Sequence, residues 1–356
     1  MNKFVLVLVV MPFFAGCSRS SDATSGTPAR GTYSGKPWRS LTGYNLETSK
    51  VAFSPNGKWL AAAGINSATV IVKEKGRIHK LEGQDYTVKV WETSTWKLTK
   101  TLRLNETIGD VVFSPDSKLL AVTAGKKLAI YVTNDWKTSH AIQLQQEFSC
   151  LSFSPKGDAL AAGAKLFNST TGQILRQLPT TGDVYSASFS PDNQTLATGC
   201  WSGAVQLWNW NSGKEAKVIQ PAISSSPSAT LETFVLFSPD GKLLATSCWQ
   251  DDTVKLWDTS TGQQIRSIIG GKTTFMGQLG NAISGVDAVA FSPDNKKIVT
   301  ASTSAMKLWD LSTGQILHTF HGESGRLSSH DVGFSPDGKL LAAASRGAIV
   351  DLWKVP

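Results

Sequence analysis

The stretch FVLFSPDGKLLATSCWQDDTVKLWDTSTGQ, residues 234–263, decides the fold. It alternates short apolar runs, rich in residues that favour strands, with clusters of Ser, Pro, Asp and Gly that favour turns. No 3.6-residue apolar period continues through these clusters, so the stretch does not predict a helix. It predicts three strands and their turns, with a fourth strand beginning at Gln264. A sheet this small cannot bury both of its faces alone, so it needs neighbours.

The same pattern recurs along the chain. Each copy contains Phe-Ser-Pro, then a polar pair and a second apolar run, and an aromatic residue ends its third strand. The seven Phe-Ser-Pro motifs begin at Phe53, Phe113, Phe153, Phe189, Phe237, Phe291 and Phe334. The aromatic residues that end the third strands are Trp91, Tyr131, Phe167, Trp208, Trp257, Trp309 and Trp353.

These copies resemble the WD-repeat family over residues 37–356, with the Trp-Asp pair at Trp257-Asp258 and Trp309-Asp310. The resemblance implies an all-β fold, a seven-bladed β-propeller of four-stranded antiparallel blades around a central channel. The last copy has no sequence left for a fourth strand. We expect residues 37–41 to supply that strand, so that an N-terminal segment completes the last blade and closes the ring.

WD repeats usually hold each blade with a buried network that includes a His before the first strand and an Asp six residues before the Trp. The resemblance implies this structural role for Asp85 with Trp91 and for Asp251 with Trp257, which have that spacing. The Gly-His pair is missing throughout, so the network is expected to be partial. A Tol-type periplasmic propeller, which also carries SPDG turns, is an alternative relative.

The beginning of the chain predicts export and attachment. The apolar run from Phe4 to Ala15 is too short to span a bilayer and is typical of a secretory signal. It leads into Phe-Ala-Gly-Cys, which resembles the bacterial lipoprotein signal, in which the Cys receives acyl chains such as palmitate. We therefore expect a signal peptide at 1–16, lipidation at Cys17 and a flexible Ser/Thr/Gly/Pro-rich tether at 17–36. An ordinary cleaved signal is the alternative.

Lipidation implies that the protein is bound to a membrane of the bacterial cell envelope through its N-terminal lipid. If the source has an outer membrane, Ser18 after the Cys resembles lipoproteins sent there, facing the periplasm or the outside. The formal net charge of +8 is spread out, without a block of like charges, and does not predict nucleic-acid binding. Cys150, Cys200 and Cys248 lack CxxC spacing and are expected to be buried small side chains.

In the WD architecture, the turns between second and third strands lie on the same face as the links between blades. Copy one has an insertion near Ser67–Glu82 that predicts a hairpin rising from this face. Exposed Trp and Arg are typical interface anchors. The candidates for partner binding on this face are Trp201, Trp249, Gln250, Arg346, Arg77 and Lys80. Neutral drift of the insertions, and aromatic residues that merely cover blade ends, are the alternatives.

Polar residues near the start of first strands are expected at the mouth of the channel. They are Asp110, Tyr185, Asp287 and Asp331. A solvated lining and a site for a cation or polar ligand both fit them. The sequence contains no HExxH, GxSxG or P-loop motif, and its His residues share no repeat position. We therefore assign no catalytic residue, no metal site and no cofactor.

Together these patterns predict a monomeric, lipid-anchored propeller that binds protein or peptide partners as a scaffold and is not an enzyme. A hydrolase-like envelope enzyme and a binder of glycans or other ligands at the channel mouth are the alternatives.

Overall fold

The computed structural model describes residues 35–74, 77–219, 233–248, 251–269, 285–302, 305–321, 329–345 and 348–356. All of them fall within one compact unit, Ser34–Pro356. They form 28 strands in seven antiparallel sheets of four strands, and the described residues contain no α-helix. None of the described segments is therefore a helix of the length and apolarity needed to cross a membrane. The predicted seven-bladed propeller is confirmed.

The blades follow one another along the chain, and blade 7 is shared between the two ends of the described chain. Blade 1 contains β2 (Glu47–Phe53), β3 (Trp59–Glu74), β4 (Arg77–Glu92) and β5 (Lys97–Leu104). Blade 2 contains β6 (Ile108–Phe113), β7 (Leu119–Ala124), β8 (Lys127–Val132) and β9 (Thr138–Gln143). Blade 3 contains β10 (Leu151–Phe153), β11 (Ala159–Ala162), β12 (Lys165–Asn168) and β13 (Ile174–Gln177). Blade 4 contains β14 (Val184–Phe189), β15 (Thr195–Cys200), β16 (Val205–Asn209) and β17 (Lys214–Ile219). Blade 5 contains β18 (Thr233–Phe237), β19 (Leu243–Cys248), β20 (Asp251–Asp258) and β21 (Gln264–Ile269). Blade 6 contains β22 (Val286–Phe291), β23 (Lys297–Ser302), β24 (Met306–Asp310) and β25 (Ile316–Phe320). Blade 7 contains β26 (Ser329–Phe334), β27 (Leu340–Ser345), β28 (Val350–Lys354) and β1 (Arg39–Leu41).

Residues 37–41 contain the strand that closes the ring. Strand β1 pairs with β28 in antiparallel register, with Arg39 opposite Leu352 and Leu41 opposite Val350. The backbone N–H of Trp38 extends this pairing by donating to the Leu352 carbonyl at 2.7 Å. The predicted closing strand is confirmed, and β28 is left with no free edge.

The Ser-Pro turns are self-contained. Ser238 Oγ accepts a hydrogen bond from the Leu243 N–H at 2.9 Å and donates to Asp240 Oδ1 at 2.7 Å. Gly241 takes the left-handed conformation that the turn requires, with φ of 73°. The equivalent Ser accepts from the equivalent N–H in every copy, at 2.8–2.9 Å. Because the polar groups of these turns satisfy one another, the Phe-Ser-Pro motif has an architectural role.

The blade interiors bury small residues on second strands and a large aromatic residue on third strands. Trp208 is 1% exposed, and its Nε1–H donates to Thr198 Oγ1 at 2.9 Å. The same bond joins Trp257 to Thr246 and Trp309 to Thr300, each at 2.9 Å. Blades 4, 5 and 6 are therefore held by a Thr–Trp pair. The thiols of Cys150 and Cys200 are both free and buried.

The insertion in copy one is a hairpin, as predicted. Strands β3 and β4 pair along their whole length, from Trp59 opposite Glu92 to Glu74 opposite Arg77. The second strands of blades 2 and 7 end after six residues, whereas β3 has 16. The hairpin therefore extends the sheet of blade 1 by roughly 30 Å, at about 3.3 Å per residue.

Neighbouring blades are also joined along their outer strands. Arg176 of β13 donates to the Asn211 carbonyl of the next blade at 2.8 Å. Lys217 and Arg266 make the equivalent bonds to Thr261 and Ser312, at 2.7 and 2.9 Å. In blades 3, 4 and 5, a cation of the fourth strand thus caps the last turn of the following blade.

Candidate functional site: the loop-rich face and the central channel

A concave surface lies where blades 2, 3 and 4 meet. It encloses about 560 Å³, and we call it the Trp201 cleft. It is lined by Thr107, Gly125, Gln146, Glu147, Asp183 and Trp201, with their neighbours in sequence. All of these belong to blade links or to turns between second and third strands, which the structure brings together as the sequence analysis expected.

Trp201 stands at the edge of this cleft. Its side chain is 36% exposed, although its backbone N–H is held by the Asp183 carbonyl at 3.0 Å. The ring packs edge-on against Tyr185, with centroids 5.4 Å apart and planes at 88°. A large aromatic side chain is therefore fixed by the structure and still open to solvent, which suits a contact with a partner.

The base of the cleft is apolar and its rim is acidic. Phe148 is 6% exposed and packs so tightly on Gly163 that a Cβ there would lie 2.3 Å from its ring. Glu147 and Asp183 are exposed on the rim. The cleft can therefore accept a side chain with an apolar stem and a polar or cationic end.

The remaining partner-binding candidates are not placed by side-chain geometry. Trp249, Gln250 and Arg346 lie outside the described residues, as does Cys17. Arg77 and Lys80 belong to β4 of the long hairpin, where the backbone alone is described. The side chain of Asp251, at the start of β20, is likewise outside the description.

The four channel candidates all line one cavity. This central channel encloses about 640 Å³, and its wall contains Asp110, Tyr185, Asp287 and Asp331. It also contains Lys50, which the sequence analysis missed. Lys50 occupies in copy one the position, three residues before the Phe of Phe-Ser-Pro, that Asp110 and Asp331 occupy in copies two and seven. Aligning the copies on that Phe would have found it.

Asp110 and Asp331 join neighbouring blades. Asp331 Oδ2 accepts the Val51 N–H at 3.0 Å, across the junction between blades 7 and 1. Asp110 Oδ2 accepts the Leu151 N–H at 2.7 Å, across the junction between blades 2 and 3. A carboxylate at this repeat position therefore joins the first strands of two neighbouring blades by a hydrogen bond.

Burial and the neighbouring charges shift the pKa values of Asp110, Asp331 and Lys50 in opposite directions. Burial raises the pKa of Asp331 to about 6, against the lowering effect of the Lys50 ammonium. Burial also raises the pKa of Asp110. Burial alone would lower the pKa of Lys50, but the carboxylates of Asp110 and Asp331 outweigh it and raise that pKa. Lys50 therefore stays charged between two carboxyl groups, one on each neighbouring blade.

The described residues contain no cluster of three or more His, Cys, Asp or Glu side chains that could hold a metal ion. Asp110 and Asp331 accept backbone N–H groups of neighbouring blades and face the charge of Lys50, so these two carboxylates form a structural network rather than an open ligand shell.

Blade 1 is held differently from the blades with a Thr–Trp pair. The partner of Asp85 is Arg103 on β5, in an ion pair at the surface. Trp91 is 3% exposed and packs on Tyr44, with ring centroids 6.4 Å apart. Tyr44 Oη donates to the Ala62 carbonyl at 2.5 Å and accepts the Lys89 N–H at 3.1 Å. Tyr44 lies outside the repeat pattern, so repeat analysis carried no signal for it.

Comparison with known proteins agrees with this architecture. The family model described as WD domain, G-beta repeat, matches residues 35–92, 172–209, 228–258, 273–310 and 314–354, which is more than half of the chain. The unmatched stretch between 92 and 172 contains the copies in which Tyr131 and Phe167 replace the Trp.

Three curated proteins illustrate the similarity. The chain is 34% identical over 106 residues to autophagy-related protein 16 of Arabidopsis thaliana, covering 29% of this chain and 18% of that protein. It is 23% identical over 235 residues to the serine-threonine kinase receptor-associated protein of Gallus gallus, covering 56% and 67%. It is 26% identical over 188 residues to the small ribosomal subunit protein RACK1y of Oryza sativa subsp. japonica, covering 49% and 48%. The matches to the first and third of these thus span half or less of the relative's own length.

Proposed function

The chain belongs to the WD-repeat family, and on that premise we propose that it is a scaffold of the bacterial cell envelope, anchored by lipid on Cys17, that binds protein or peptide partners through the Trp201 cleft. The family is non-catalytic, and the prediction that the chain is not an enzyme is confirmed. The proposal treats the propeller as a monomer.

The observation that carries the proposal is the exposure of Trp201 beside a cleft. Trp is enriched among the residues that dominate binding energy at interfaces, and such residues work best next to a concave, water-excluding surface. Packing against Tyr185 fixes the Trp201 ring before a partner arrives, so little conformational entropy is lost on binding. The cleft is built from loops on a rigid scaffold, where binding residues are most often found.

The relatives support the same class of function. One is named as associated with a serine-threonine kinase receptor, and another as a small ribosomal subunit protein. Both names describe membership in an assembly of macromolecules. The channel supports binding less well, because Asp110 and Asp331 already join blades and are neutralised by Lys50.

Partner capture tests the cleft. Tagged wild-type protein and a Trp201→Ala variant are compared by affinity capture and site-specific photocrosslinking in native envelopes. We expect truncation of Trp201 to weaken capture of the specific partner by at least tenfold, as for interface residues that contribute more than about 1.4 kcal/mol. The matched control is Trp38→Ala, which removes an exposed Trp of the closing segment instead. If both variants capture the same partner as strongly as wild type, the cleft is not its binding site.

Fractionation tests the anchor. Cys17→Ser removes the only side-chain thiol in the signal-like motif, so the acyl chains cannot be attached. We expect this variant to move from the membrane fraction to the soluble fraction, whereas Cys200→Ser, at a buried position of blade 4, stays with the membrane. A Cys17→Ser protein that remains bound to membranes after a high-salt wash would show that the lipid is not the anchor.

A further inference from the structure

A second surface surrounds β1, the strand that closes the ring and lies outside the seven sequence copies. Trp38 is 43% exposed although it lies directly before β1. Its ring meets Trp96 of blade 1 edge-on, with centroids 6.1 Å apart and planes at 74°. Leu98, which follows Trp96 closely in sequence, is 48% exposed. Two neighbouring blades therefore present apolar side chains side by side at the outer rim.

Cations border these apolar side chains. The Arg39 guanidinium carbon lies 5.3 Å from the centroid of the Trp38 ring, and Lys354 Nζ lies 5.2 Å from it. Lys36, two residues before Trp38, and Lys97, between Trp96 and Leu98, are also exposed. Within the part of the chain that the structure describes, none of these four cations forms an ion pair with a carboxylate.

The acidic groups nearest in sequence are already occupied. Asp351 is 4% exposed and accepts a hydrogen bond from Ser40 Oγ at 2.5 Å. Glu92 accepts one from Thr95 Oγ1 at 3.0 Å. Hydroxyl donors leave both carboxylates charged, and Glu92 lies opposite Lys97 in the pairing of β4 with β5. Four cations against these two carboxylates leave a net charge of +2 on the surface.

This arrangement differs from the outer rim of blades 3, 4 and 5. There the fourth-strand cations Arg176, Lys217 and Arg266 cap the turn of the next blade. At the junction of blades 7 and 1, the aromatic contact between Trp38 and Trp96 joins the blades instead, and the cations remain available at the surface. The described chain also begins here, and residues 18–34 connect this surface to Cys17.

We propose that the surface formed by Lys36, Trp38, Arg39, Lys97, Leu98 and Lys354, here called the closing-strand patch, binds the anionic phospholipid headgroups of a membrane. Trp and Leu insert into the interface while Lys and Arg contact the headgroup phosphates, the combination that interfacial binding requires. The tether to Cys17 is part of the proposed function and restricts the patch to within at most about 70 Å of the lipid. The charge complementarity itself does not depend on lipidation.

Acyl chains and a basic patch are complementary signals. A single acyl chain gives marginal membrane binding, and a cluster of cations adds about 1 kcal/mol for each Lys or Arg near an anionic surface. The patch would also fix which side of the propeller faces the membrane. With the outer rim of blades 7 and 1 against the headgroups, blades 3 and 4 lie on the other side of the ring, and the part of the Trp201 cleft that they form stays accessible to partners.

Vesicle binding tests the proposal without any lipid on the protein. The chain from residue 18 onward retains the whole compact unit Ser34–Pro356, in which every blade and the closing strand are complete. Its cosedimentation is measured with vesicles of phosphatidylcholine alone and with equimolar phosphatidylglycerol. We expect binding to the anionic vesicles to be at least tenfold tighter, and to decline as NaCl rises from about 0.05 M to about 0.5 M because salt screens the charges.

Matched variants locate the binding surface. Arg39→Gln with Lys354→Gln is expected to lower the affinity for anionic vesicles by about 25-fold, or about fivefold for each charge. Lys214→Gln with Lys242→Gln removes the same charge from exposed positions of blades 4 and 5, and is expected to change affinity less than about twofold. Equal losses in the two double variants, or equal binding to neutral and anionic vesicles, would overturn the proposal. Because no protein in this assay is acylated, these results are independent of the Cys17→Ser fractionation.

Trp38→Ala and Trp201→Ala form a second matched pair. We expect the first to weaken vesicle binding and the second to leave it unchanged, which is the reverse of their expected effects on partner capture. Melting temperatures within a few degrees of wild type establish that each variant is folded. A Trp38→Ala protein that is folded and binds anionic vesicles as tightly as wild type would contradict insertion of the Trp.

Discussion

Deletion of residues 37–41 is expected to destabilise the propeller more than any single substitution outside the channel. The deletion removes β1, which pairs with β28 through Arg39, Ser40 and Leu41. Leu41 is 5% exposed and packs in one cluster with residues of blades 7 and 1, among them Val350 and Leu352. Burial of one Leu contributes about 1.5–3 kcal/mol, and each backbone hydrogen bond about 1 kcal/mol. The total approaches about 5 kcal/mol, comparable to the whole free energy of unfolding of many domains.

The measurement is thermal and urea unfolding followed by circular dichroism, with a deletion of equal length at residues 22–26 as control. The control removes sequence before the compact unit Ser34–Pro356 and leaves every strand of the described residues intact. We expect the deletion of 37–41 to lower the melting temperature sharply and to promote association, because β28 then exposes an unpaired edge. Other contacts still join blades 7 and 1, including Thr48 Oγ1 with the Ser345 carbonyl at 2.8 Å. If these other contacts were sufficient to close the ring, the two deletion variants would have the same melting temperature.

The repeat pattern predicted the blades well because each copy encodes its own four strands locally. In the opening stretch, the Pro and Gly of the Ser-Pro turn end one strand and allow the next, and Gln264 begins β21 as predicted. The hairpin of blade 1 was predicted in the same way, from two runs of strand-forming residues on either side of Lys-Glu-Lys-Gly. These features depend on residues close together in sequence.

The contacts between blades were harder to predict because they depend on residues far apart in sequence. Lys50 differs in charge from Asp110 and Asp331, so a search for similar side chains at equivalent positions did not find it. Tyr44 stabilises blade 1 from a segment that no other copy has. The capping of turns by Arg176, Lys217 and Arg266 requires knowing which turn lies beside which fourth strand. Sequence repetition predicts the contacts that all copies share, whereas these residues make contacts that differ from copy to copy.

A Lys50→Met variant is expected to lose about 3–5 kcal/mol of stability at neutral pH, because it leaves two buried carboxylates without a nearby cation. In the wild-type protein the folded pKa of Asp331 is about 6, above its value of 3.8 when unperturbed. The folded state therefore holds this proton more tightly than the unfolded state. The resulting stabilisation is fully present below about pH 4 and is lost as the pH rises through about 6.

Removal of Lys50 strengthens this dependence. Without the ammonium group, the pKa values of Asp110 and Asp331 rise further, since burial still disfavours their charged forms. The stability difference between wild type and Lys50→Met should therefore be larger at pH 7 than at pH 5, where the Asp331 carboxyl of the variant is protonated. His330, paired with Glu47 at 3.1 Å, is present in both proteins, so its effect largely cancels in the difference. Adding Asp331→Asn to Lys50→Met removes one of the unpaired charges and should recover part of the loss at pH 7. An equal loss at both pH values would instead assign the role of Lys50 to packing of its aliphatic stem, and the channel would then be held by the backbone bonds of its carboxylates rather than by charge.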